Sequence, residues 1–149
     1  MAKVGRAAYN SSRKRVETIS ADKTISSAEA GELYLIDHNA ASALTITLPT
    51  MQDGAYFKFI VKTKLAAAGT IVIKSSEATA SDFAGGIVEQ VLNAGDGAVS
   101  YQLAGAHHTL TLNDDINIGS NIECVSDGSA WYINGTVLVE AVGPNAVFS

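Results

Sequence analysis

Apolar and polar residues alternate with a period of two along most of this chain, which is the signature of strands with one buried face. The clearest stretch runs from Leu44 to Lys62. Leu44, Ile46 and Leu48 alternate with Thr45 and Thr47, and Pro49 ends the run because it has no N–H for a ladder. Asp53-Gly54 reads as a turn, after which Phe57, Phe59 and Val61 face one way and Tyr56, Lys58, Ile60 and Lys62 the other. The pattern predicts two strands folded back on a turn, as a core hairpin or a sheet-crossing pair.

The same reading extends in both directions. Val16 and Thr18 begin a strand, Ala21-Asp22-Lys23 turns, and Thr24-Ile25 returns. Ser26 or Ser27 followed by Ala28-Glu29-Ala30-Gly31 predicts one capped helical turn stopped by glycine. Glu32 to Asp37 carries apolar residues on both faces, as a central strand between layers does. Further strands are predicted over Thr70–Ser75, Ile87–Leu92, Val99–Leu103 and His108–Asn113, with a long polar loop from Ser76 to Gly86. Towards the end, Asn121–Ser126 and Ala130–Ile133 flank a Ser126–Ser129 turn, and Asn134-Gly135 predicts a second tight hairpin leading into Thr136–Val142. The sum is an all-β fold, a single-domain β-sandwich, jelly roll or β-barrel of about ten short antiparallel strands. No internal repeat is visible.

Composition fits one domain: 149 residues, 47% hydrophobic and 17% charged, with two prolines. Charge changes the picture more. Lys3, Arg6, Arg13, Lys14 and Arg15 place five of the ten basic residues in the first sixteen positions, with no acidic residue among them. From Glu17 onward five basic residues face fifteen acidic ones, so a +5 arm precedes a body of formal charge −10 (5 minus 15). Residues 1–16 are therefore read as an extended basic arm, 17–142 as the β domain and 143–149 as a tail. The arm suits an acidic partner; one tyrosine and no Trp or Phe argue against nucleic acid. Phe148 in the tail reads as an apolar anchor for a neighbouring subunit.

Candidate chemistry is sparse. Cys124 is alone, which excludes an internal disulfide, and lies in a strand-like run as a small apolar side chain. His107-His108 with Asp114-Asp115 is the nearest thing to a metal cluster, but adjacent strand residues point to opposite faces and no further ligand completes a zinc set. His38 beside Asp37 lacks a nucleophile with a reason to be near. The glycine pairs carry no phosphate-binding pattern. Trp131, Tyr132, Tyr56 and Tyr101 are candidates for a sugar-stacking face. No apolar run is long enough for a transmembrane helix, and no signal-type segment opens the chain. The expectation is no catalytic residue, no metal and no cofactor.

TISADKTISSAEAGELYLID, LTITLPTMQDGAYFKFIVK, TIVIKS and IECVSDGSAWYINGTV together resemble a recurrent module of tailed-bacteriophage virion proteins, over Thr18 to Val139. The likeness lies in a T-x-T-L-P strand end, G-x-x-F-x-F-x-V, and an SDGxxWYxxG segment. It implies a non-enzymatic structural protein, in capsid decoration (cement) proteins or in tail fibres and other appendages. A short acidic β domain with a basic arm suits the decoration type. That type implies a homotrimer on the capsid surface, made in the host cytoplasm, contacting the major capsid protein, with no membrane involved. On this reading Lys3, Arg6, Arg13, Lys14, Arg15 and Phe148 bind the capsid or a sister subunit; a receptor- or glycan-binding appendage is the alternative.

Overall fold

The computed structural model describes residues 15–77, 82–92, 99–141 and 143–149. Twelve strands form within them: β1 (Val16–Ile19), β2 (Lys23–Thr24), β3 (Leu33–Ile36), β4 (Ala43–Thr47), β5 (Asp53–Val61), β6 (Thr70–Lys74), β7 (Phe83–Val91), β8 (Val99–Leu103), β9 (Thr109–Leu112), β10 (Asn121–Asp127), β11 (Trp131–Val139) and β12 (Ala146–Phe148). A 3-10 turn at Ser27–Glu29 is the helical element, where the capped turn was predicted. The strands make a seven-stranded sheet, β1-β3-β5-β10-β11-β7-β8, and a five-stranded sheet, β12-β9-β6-β4-β2. The fold is all-β.

The sheets are mixed, not antiparallel. β1, β3 and β5 pair in parallel in the larger sheet, while β2, β4 and β6 do so in the smaller one. The first six strands therefore cross to the opposite sheet at every step, and β1 to β4 each pair with the strand two further along. This winding settles the Leu44–Lys62 stretch. β4 and β5 lie in different sheets, so they cross between layers and form no hairpin. Asp53-Gly54 opens β5 as its first two residues, with Gly54 at φ 77°.

Two other expectations give way. Asn134-Gly135 lies in the middle of the continuous strand β11, paired to Glu123 and Ile122 of β10. A Cβ at Gly135 would stand 2.2 Å from the Asn121 carbonyl oxygen, so glycine serves close backbone approach there and not a turn. The long loop predicted to Gly86 ends earlier, because Phe83 begins β7; its residues 78–81 lie outside the described ones. The Asp127-Gly128 turn between β10 and β11 forms as predicted, with Gly128 at φ 86°.

The core lies between the sheets. Leu44, Ile46, Ile71, Ile73, Leu110 and Leu112 of the smaller sheet bury against Tyr34, Ile36, Phe57, Phe59, Ile122 and Trp131 of the larger. Tyr34 stacks on Phe59 with ring centroids 5.4 Å apart, and Phe57 tilts against Trp131 at 5.7 Å. Cys124 is fully buried, and burial pushes its thiol up out of the reactive range. The tail joins this body: β12 pairs with β9, and Phe148 meets Phe83 edge-on at 6.5 Å.

Candidate functional site

Of the predicted contact residues, Lys3, Arg6, Arg13 and Lys14 lie outside the described residues. Arg15 is the arm's described end, and it is fastened to the body. Its carbonyl accepts the Leu33 N–H at 2.9 Å, extending the β1–β3 ladder, and its guanidinium meets Glu32 Oε1 at 2.9 Å. Phe148 is buried in its own chain, so it is not available as an anchor for a neighbour.

Where the arm meets the body, at the edge strands β1 and β2, a cluster of charges lies on the inward faces of the two sheets. Glu17 is opposite Tyr34 in the register and shares its inward face. Lys23 is opposite Ile46 and faces inward from the other sheet. Its ammonium donates to Glu17 Oε1 at 2.9 Å and to Glu29 Oε1 at 2.8 Å, and sits 5.5 Å from the centre of the Tyr34 ring. Oxygens of Glu17, Glu29 and Glu32 all lie within 4.8 Å of one another, which is compatible with a cation site. Here Lys23 and Arg15 supply the positive charge between them. The bond from Lys23, followed by the Ser26 N–H, holds the Glu29 carboxyl down at about 2. Burial, then the charges of Glu29, Glu32 and Glu17, push the Tyr34 phenol up and keep it protonated. The Tyr34 hydroxyl and Glu32 Oε2 are buried without a hydrogen-bond partner of good geometry.

The remaining body lysines are largely spent on the protein's own carboxylates. Lys58 meets Glu123 at 2.6 Å, Lys62 meets Asp37 at 2.5 Å and Lys64 meets Glu140 at 2.6 Å. Lys58, outward on β5, and Lys62, just after it, are thus internally neutralised. Lys74 has no carboxylate partner among the described residues, and lines an open cleft of about 300 Å³ with Asp22, Lys23, Thr24, Thr45 and Thr47.

The other candidates separate. His38 points its Nε2 at the Ser42 carbonyl at 2.9 Å, while Asp37 turns to Lys62 and Thr63, so the two form no dyad. His107 and His108 are held through their backbones to Phe83, Ser75 and Ser149. Asp114 accepts the Ala68 N–H at 2.9 Å and fixes Ala68 at φ 65°, a turn-stabilising role. Trp131 is fully buried, which removes it as a sugar-stacking platform. Tyr132 is half exposed, with its hydroxyl donating to Asp127 at 2.9 Å.

Comparison with protein-family models, with curated proteins and with solved structures found no match.

Proposed function

We propose that this chain is a non-enzymatic structural protein of a tailed-phage virion that decorates the capsid and bridges its subunits. Its basic arm is the electrostatic attachment. The observation that carries the reading is the division of charge, a +5 arm against a −10 body. The body's lysines strengthen it, since four of five pair with carboxylates of the same chain and so add little free positive charge to the body. Arg15 on the buried Glu32 gives the kind of contact the arm would make on an acidic subunit. The sequence likeness supplies the virion setting, the major capsid protein as partner and a three-fold assembly, while the two mixed sheets with the core between them support the sandwich or jelly-roll form over a barrel.

Cosedimentation with empty shells of the phage that encodes the chain tests this. The full chain pellets with shells, and raising salt from about 0.05 M to about 0.5 M weakens the binding as charges are screened. A variant lacking residues 1–14 stays in the supernatant. Equal pelleting of both proteins at every salt concentration overturns the arm's role, and absence of the full chain from shells overturns decoration. A second reading, an appendage that binds a glycan, is favoured by the open polar cleft around Lys74 and predicts binding of the isolated protein to host cells.

A further inference from the structure

β8 ends the seven-stranded sheet and pairs with β7 alone among the described strands. The Ala104 N–H donates to the Gly85 carbonyl at 3.0 Å, which sets the phase of this antiparallel ladder. Because successive residues alternate, Ser100 and Gln102 aim their peptide groups at β7, while Val99, Tyr101 and Leu103 aim theirs away from the sheet. The side chains divide in the same way. Ser100 and Gln102 stand opposite the buried Glu89 and Ile87, and the Ser100 hydroxyl donates to Glu89 at 2.9 Å. Val99, Tyr101 and Leu103 lie on the outer face and are 65%, 55% and 69% exposed. The three residues with unspent backbone groups are thus also an exposed apolar stripe.

Among the described residues, none guards this edge. Residues 99–106 contain no charge and no proline, whereas long edges of native sheets are usually blunted by such residues. The other edges are different: β1 carries Glu17, β2 is two residues with Lys23, and β12 is three residues long. The stripe is also symmetric in character about Tyr101, reading apolar, polar, aromatic, polar, apolar. Antiparallel pairing of identical strands has a two-fold axis, so a pattern symmetric about one residue matches itself. The basic arm is a poor occupant for an uncharged stripe, and it leaves the body at β1, the opposite edge of the same sheet.

We propose that β8 is a homodimerisation edge: two copies pair antiparallel about Tyr101, joining their seven-stranded sheets into one. Tyr101 then faces Tyr101 of the second copy and Val99 faces its Leu103, each pair exchanging N–H and C=O. The proposal concerns a different edge from the arm and is independent of capsid attachment; the free chain is the dimer, and the three-fold contact belongs to the shell-bound protein.

Sedimentation velocity on the full chain tests it. The wild type sediments as a dimer at tens of micromolar. Y101P removes an N–H that points away from β7, so the β7–β8 ladder is kept and the dimer is lost. L103K sets a charge opposite Val99 of the second copy, in an otherwise uncharged edge, and gives the same result without a proline. Both variants keep the wild-type far-UV spectrum. In Y101C, mild oxidation links two chains through the new thiol, whereas S100C, whose side chain faces Glu89, does not link; the buried Cys124 stays silent. A monomeric wild type, a dimer unaffected by L103K, or a trimer in all variants overturns the proposal.

Discussion

Charged residues in this protein are most informative where they share the phase of the core. Glu17 faces inward with Ile19, Glu32 with Tyr34 and Ile36, and Glu89 with Ile87 and Val91. Each is provided for: Glu17 by Lys23, Glu32 by Arg15, and Glu89 by Ser100 and the Ala146 N–H at 2.6 Å. Glu29 completes the first cluster and has a testable consequence. Its folded carboxyl titrates at about 2 against an ordinary 4.5, first because of the bond from Lys23. A lowered carboxyl contributes stability that is fully present above about 4.5 and is lost as pH falls towards about 2. E29Q therefore lowers stability by about 1 kcal/mol at pH 6, and the gap from wild type narrows as pH drops to 3, on its way to closing near about 2. Urea denaturation at the two pH values checks this; a constant gap would show that Glu29 acts through packing and not through its charge.

Among the elements, β11 shows what the sequence contained and how it misled. Asn-Gly is a strong hairpin signal, yet Trp131, Ile133, Val137 and Val139 keep one odd-numbered phase across it, and all four are buried. A two-residue turn would have put Ile133 and Thr136 on one face and reversed that phase. Phase continuity was thus the better guide, and it identifies one nine-residue strand. Gly135 is there because β10 passes too closely for a side chain. G135A accordingly costs about 3 kcal/mol or more, since the obstruction is the Asn121 backbone oxygen and not a flexible side chain. G105A, with open space around it, changes stability by less than about 0.5 kcal/mol. Paired chemical denaturation of the two variants measures the contrast; equal effects would refute close approach as the reason for glycine at 135. The strands themselves were legible from alternation, but their partners were not. Parallel pairing across the alternate winding joins residues such as Val16 with Leu33 and Ala43 with Thr70, through turns of unequal length that leave no period in the sequence.

At the scale of the whole molecule the tail belongs to the core, although the sequence suggested that both ends of the chain were attachments. The cluster at the arm's root joins Glu17 of β1, Glu29 of the 3-10 turn and Glu32 just before β3, so no spacing rule could have assembled it. The tail is different: Ala146 and Phe148 are core residues, and β12 supplies the last strand of the smaller sheet. Phe148 caps Phe83 at the start of β7, and the Ala146 N–H satisfies the buried Glu89. Removing residues 143–149 strips β9 of a partner, opens the aromatic contact and leaves a buried carboxylate short of a donor. These losses together exceed about 4 kcal/mol, a large part of a small domain's total stability. Removing residues 1–14 leaves Arg15 on Glu32 and all the described strands in place, so the unfolding free energy changes by less than about 0.5 kcal/mol. Thermal and urea unfolding of the two truncations separate the roles. A stable chain without its tail would return Phe148 to the list of possible contacts, whereas a destabilised chain without its arm would make residues 1–14 part of the fold and weaken the case for attachment.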